Sequence, residues 1–159
     1  MPASPTIEAI ATAVKSAIEA VSGSGVVHDR PRHTFEPDEF IALFKDTADN
    51  KLRTWIIRVT ESPDEEDPAG FLFLVRRRVQ VEGWFGGMVD TPETWTAHRT
   101  LVDNVKSGLT GNPAVFGTAP LATPRDITVS PIDESQFGDV VVHHVIMEFQ
   151  VESQETKTT

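Results

Sequence analysis

The chain has 159 residues, enough for one domain with a real core, and its 39% hydrophobic and 24% charged residues are an ordinary globular composition. Its 24 acidic side chains against 14 basic ones give a formal charge of −10, which argues against general nucleic-acid binding, since that needs a positive footprint. With no cysteine, disulfides, thiol catalysis and thiolate metal sites are excluded; Met1 opens a polar segment rather than a signal peptide, and no stretch approaches the roughly 20 apolar residues of a membrane helix, so folding in a reducing cytoplasm is expected.

Ser4 can cap a first helix with Pro5 at its first position. Ile7, Ile10, Val14, Ile18 and Val21 recur at spacings of three and four, and Ser22-Gly23-Ser24-Gly25 ends the helix. Its stripe must be buried, on its own sheet or on a neighbour. Gly25 to Asp29 reads as a short strand that Pro31 stops from extending. A second helix begins near Pro37, with Phe40, Ile41, Leu43 and Phe44 as its apolar face.

Leu52 to Val59 and Phe71 to Val81 follow as two long strands. The first puts Trp55, Ile57 and Val59 on one face; the second puts Phe71, Phe73, Val75, Val79 and Val81 on one face and Leu72, Leu74, Arg76, Arg78 and Gln80 on the other. Between them lies an acidic loop with Asp64, Glu65, Glu66 and Asp67. The second strand is apolar on both sides at its start and polar on one side later, as in a projecting hairpin or a strand half-covered by a partner. Gly83, Gly86 and Gly87 break the pattern, so Gly83-Trp84-Phe85-Gly86-Gly87 reads as a turn.

Thr91-Pro92 opens a third helix with Trp95, His98, Val102, Val105 and Leu109 as its stripe, closed by Gly108 and Gly111. Asn112 to Pro124 reads as a long loop and Ile127 to Ser130 as a short strand. Val140 to Val151 is a strong strand with Val141, Val145, Met147, Phe149 and Val151 on one face. The expected organisation is one α+β domain over 1–151, with a mixed or mainly antiparallel sheet, a long projecting hairpin and about three helices, then a flexible polar tail over 152–159.

No chemistry-bearing set stands out. His143 and His144 are neighbours in a strand, so their rings point to opposite faces and cannot easily share one ion. His28-Asp29-Arg30 diverges in the same way, and no nucleophile elbow accompanies it. The Asp64–Asp67 run lacks the glycine and closing glutamate of a calcium loop, and no phosphate-binding glycine motif is present. No catalytic residue, metal or cofactor is expected. In Arg76-Arg77-Arg78 only Arg76 and Arg78 share a face, and carboxylates of another subunit suit them better than nucleic acid in so acidic a chain.

The element order, with Val27-His28-Asp29-Arg30 after the first helix, Leu52-Arg53-Thr54-Trp55-Ile56-Ile57-Arg58 opening the central pair and Val140-Val141-Val142-His143-His144-Val145-Ile146-Met147-Glu148 closing the chain, resembles the tail-terminator and minor-tail proteins of long-tailed bacteriophages. That resemblance implies a small α+β subunit of the virion, with no enzymatic activity. It implies a ring, commonly six-fold, that caps the tail tube and joins it to the head-side connector or neck proteins. Its partners would be further copies of itself, the tail-tube protein and the connector. Another neck or head-completion protein of the same particle is the alternative, and a small α+β enzyme is the alternative of a different class. Ring closure by head-to-tail contact needs two unlike faces on each subunit. The residues expected there are Arg76 and Arg78 on the strand, Asp64, Glu65, Glu66 and Asp67 on the loop, and Trp84 and Phe85 in the glycine-flanked segment.

Overall fold

The structure, a computed structural model, describes residues 6–32, 37–46, 51–61, 65–66, 72–87, 92–110, 124–137 and 140–156. The elements in chain order are α1 (Ile7–Glu19), β1 (Val26–His28), α2 (Pro37–Phe44), β2 (Leu52–Glu61), β3 (Glu65–Glu66), β4 (Leu72–Gly87), α3 (Pro92–Thr110), β5 (Pro124–Val129), β6 (Asp133–Phe137) and β7 (Val140–Thr156). The strands form one sheet in the order β1-β2-β4-β7-β5, with β3 on β4 and β6 on β7. β1 runs parallel to β2 and every other pairing is antiparallel, so the sheet is mixed and the fold is α+β in a single domain.

α1 starts later than its sequence suggests. Thr6 sits in extended backbone and its hydroxyl accepts from the Ala9 amide at 3.1 Å, which satisfies one of the free N–H groups of the first turn; Ser4 and Pro5 lie outside the described residues. Ile10, Ala11, Val14 and Ile18 are buried, while Ile7 is 38% exposed, so the stripe seals only from the second turn onward. The helix leaves through Gly23 and Gly25, both with positive φ. At Gly25 a Cβ would lie 2.3 Å from the Arg53 carbonyl oxygen, so only glycine allows the turn to press this closely on β2. The Trp55 indole then donates to the Ser24 carbonyl at 3.0 Å and fixes the turn to the core.

Strand alternation divides the sheet into two unlike faces. One carries Val27, Trp55, Ile57, Val79, Val81, Phe85, Val145, Met147, Phe149 and Val151, all buried, against the stripes of α1 and α3. Burying each such side chain contributes roughly 1.5–3 kcal/mol relative to leaving it exposed, so this face is the dominant source of stability. The other carries a small cluster of Leu52, Ile56 and Val142, with Leu43 of α2 and Trp84 packed against it. Of the three expected helices, α1 and α3 are long, with 13 and 19 residues; α2 has eight and covers little.

Two strands are longer than the sequence suggests. β4 runs unbroken through Gly87, so the segment read as a turn is strand. Gly83 is tolerated there because its neighbours fill the space a side chain would need: a Cβ would come within 2.6 Å of the Trp55 ring and 2.9 Å of Val145. β7 runs through Thr156, so 152–156, read as tail, are paired with Leu72–Arg76. β4 and β7 are in register from Leu72↔Thr156 to Gly87↔Val141, a ladder of 16 residues and about 50 Å. β2 ends at Glu61 opposite Arg77, and beyond that point the ladder continues with β3 along its edge.

Candidate functional site: the partly covered sheet face

The face opposite α1 and α3 runs from apolar to polar. Under α2 lie Leu52, Ile56 and Val142. Next comes the row Glu82, Trp84 and His144: Trp84 stacks on His144 with ring centroids 4.0 Å apart and planes at 27°, and the Glu82 carboxylate lies 3.8 Å from His144 Nε2. That distance is within ion-pair range but long for a hydrogen bond. The His144 imidazole beside it holds the Glu82 carboxyl below the usual carboxylate range, against burial, which pushes the other way. His28 also lies on this side, next to Ile56 in the register; burial pushes its imidazole below the ordinary range, partly offset by a hydrogen bond with the Leu43 backbone.

Past this row α2 no longer covers the sheet. Arg58, Thr60, Arg78 and Gln150 are exposed, with Gln80 and Glu148 half-buried between them. Arg78 donates to the Glu148 carboxylate at 2.6 Å, and Gln80 reaches the other Glu148 oxygen at 3.5 Å. The arrangement is a polar platform on adjacent strands, with Arg78 tied to Glu148 within the chain.

The residues expected at an interface are distributed unevenly. Arg76 and Arg78 do share this face, Arg76 half-buried and Arg78 exposed, while Arg77 turns to the helix side and is buried. Trp84 is half-buried on the same face as the two arginines. Phe85 is not a surface residue: it is fully buried on the helix side, with its ring edge-on to Trp55 at 5.1 Å. The misplacement follows from reading 83–87 as a turn, because in a strand Trp84 and Phe85 must point to opposite faces. Glu65 and Glu66 form β3 and pair with Leu74 and Phe73 of β4, which brings the acidic segment's backbone beside the arginine strand. Asp64 and Asp67 lie outside the described residues.

The two histidines of β7 separate as alternation requires. His143 is on the helix side, 2% exposed, beside His98 of α3, itself 7% exposed; their rings meet edge-to-face at 4.9 Å. Glu134 of β6 stands opposite His143 in the register, its carboxylate 3.8 Å from His143 Nδ1. Sequence reading missed Glu134, Glu82 and Glu148, because each gains meaning only from a cross-strand neighbour. Among the described residues no group of three or more histidine or carboxylate side chains could hold a metal ion. No described helix is long and apolar enough to cross a membrane.

No family model matches the chain, and no curated protein is significantly similar to it.

Proposed function

We propose that this chain is a structural protein of a long-tailed bacteriophage virion, a tail terminator that closes into a ring, caps the tail tube and joins it to the head-side connector. The observation that carries the reading is the asymmetry of the sheet. Among the described residues, two long helices seal one face, and the other face turns polar past α2, with Arg58, Thr60, Arg78 and Gln150 exposed. A subunit built this way offers two unlike surfaces for head-to-tail contact, which a closed ring requires. The platform of Arg58, Arg76, Arg78, Gln80 and Glu148 suits contact with a polar partner better than catalysis, which needs titratable groups converging in a cleft.

In this reading the arginine face of one subunit meets carboxylates of the next, with Glu65 and Glu66 of β3 as candidates. The purified protein is expected to run as a ring in size-exclusion chromatography with light scattering, and to show rings in negative-stain micrographs. A monomer at all concentrations, with no ring on addition of tail tubes, would remove the proposal. Reversing Arg76 and Arg78 to Glu together is expected to weaken assembly while circular dichroism stays unchanged. Added salt is expected to weaken the wild-type contact in the same direction, since exposed charges are screened beyond about 8–10 Å at physiological ionic strength.

A further inference from the structure

We propose that the outer edge of β2, from Ile57 to Thr60, takes up an extended segment of another protein as an added strand, and that this segment alternates apolar and acidic residues. The inference does not rest on the ring reading and concerns the single chain.

β2 pairs with β4 along its whole length, from Leu52↔Gly86 to Glu61↔Arg77. On its other side β1 covers only Thr54 to Ile56, and the chain bends away at Asp29. Among the described residues no strand lies on that side of Ile57 to Glu61. The backbone N–H and C=O groups of such an edge are a template for a further strand. Burial marks the same place. On the sealed face Val59, Val79 and Phe149 form one row across β2, β4 and β7. Val79 and Phe149 are buried and Val59 is only half-buried, so the row is open at its β2 end. An apolar residue on an added strand, opposite Val59, would close it.

The two outer edges of the sheet are unlike. β5 opens with Pro124, which has no N–H to offer, and its register shifts between Arg125 and Thr128. Pro131 separates it from β6, where Asp133 and Glu134 are exposed charges. Prolines, bulges and charges are the devices that keep a further strand off an edge. The β2 edge has no proline and no register shift against β4, and Ile57, Val59 and Thr60 are β-branched residues suited to a strand.

Arg58 sets the chemistry of the occupant. It is exposed on the polar face at this edge, with Arg78 exposed one strand further in and tied to Glu148. Glu82 shares the face, its carboxylate beside His144. Residues directly opposite on paired strands share a face, so a segment with an apolar residue beside Val59 places its next residue beside Arg58. A carboxylate there gains an ion pair. A second copy fits this edge poorly. Two-fold antiparallel pairing centred on Val59 sets Arg58 diagonal to its own copy, and pairing centred on Arg58 sets the two directly opposite; like charges so placed repel. The β5–β6 edge of a second copy carries the devices that resist pairing. The occupant is therefore a different chain, recognised through main-chain hydrogen bonds and alternate side chains.

The test titrates the full chain with two synthetic peptides, one alternating glutamate and valine and one alternating lysine and valine, followed by amide NMR. The net charge of −10 favours the lysine peptide at long range. At physiological ionic strength exposed charges are screened beyond about 8 Å, so the arginines at the edge decide there. The glutamate peptide is expected to bind several-fold tighter and to slow amide exchange over Ile57 to Thr60. Arg58→Glu is expected to reverse that preference; should it fail to fold, Arg58→Ala is expected to abolish it. Absence of slowed exchange at Ile57 to Thr60 with either peptide overturns the proposal, as does equal binding of both peptides by the wild type. A preference unchanged in the Arg58 variant overturns it too. Protection of the same amides by self-association, without peptide, gives the edge to a second copy and overturns it as well.

Discussion

His143 and His144 are adjacent in sequence and yet occupy the two extremes of this molecule. His143 is sealed among rings on the helix side, while His144 lies half-buried on the far side against Trp84 and Glu82. The same step separates Phe85, fully buried, from Trp84, which is not. One residue along a strand changes what a side chain is for. On the sealed face shape decides, because nothing there can retreat to water. On the other face charge pairing and solvent share the decision, and substitutions should be correspondingly mild.

The contrast can be broken most forcefully at the 84–85 pair. Phe85→Ala removes a ring from the centre of the core and is expected to destabilise by about 3–5 kcal/mol, read as a fall in the urea midpoint. Trp84→Ala, though it deletes a larger side chain, is expected to lose only about 1–2 kcal/mol because part of the ring already meets water. Equal losses would make the partly covered face a second core. Gly83→Ala sharpens the same point with a single methyl. Its Cβ would press on Trp55 and Val145, so a loss of about 1–3 kcal/mol is expected from overpacking.

Smaller effects are expected among the charges. Glu82 is held below its usual range by His144, so its contribution is present above the ordinary glutamate value and is lost as pH falls through the lower folded value. Glu82→Gln is therefore expected to be less stable than wild type by up to about 1 kcal/mol near neutrality, with the gap closing in acid. A gap of constant size in denaturant titrations across that range would show that the pair contributes through packing alone. Least of all, Arg78→Ala breaks an exposed contact with Glu148 and is expected to change stability by only ~0.2–1 kcal/mol, less at high salt.

Much of the architecture was legible because hydrophobic period is a local property. The stripes of α1 and α3 and the alternation of β2, β4 and β7 place Val14, Val105, Ile57, Val81 and Met147 in the core directly from their spacing. What escaped was whatever depends on a partner strand. Glycines at 83, 86 and 87 signal a break by propensity, but Trp55 and Val145 fill the space above Gly83, and tertiary packing overrides the local preference. β6 went unassigned because Asp133, Glu134, Ser135 and Gln136 show no alternation; pairing with β7 makes it a strand. Residues 152–156 look like a tail for the same reason, until Leu72–Arg76 provide a template. The platform was half-visible: Arg76, Arg78 and Gln80 follow from alternation, whereas their neighbour Glu148 requires the register.

The long β4–β7 ladder also sets a hazard during synthesis. β4 emerges from the ribosome and can pair at once with β2, but its other edge must wait for β7, which begins roughly fifty residues later. Until then the nascent chain carries a 16-residue strand with one bare edge and an apolar row over Val79, Val81 and Phe85, a template for pairing with the wrong chain. Arg76, Arg77 and Arg78 border that row, and consecutive charges beside an unavoidable hydrophobic strand are the usual safeguard against such pairing. By this general rule the arginine run is placed to guard the unfolded strand, and a chain truncated before Val140 is expected to collect in inclusion bodies, the more so when those arginines are replaced by neutral residues.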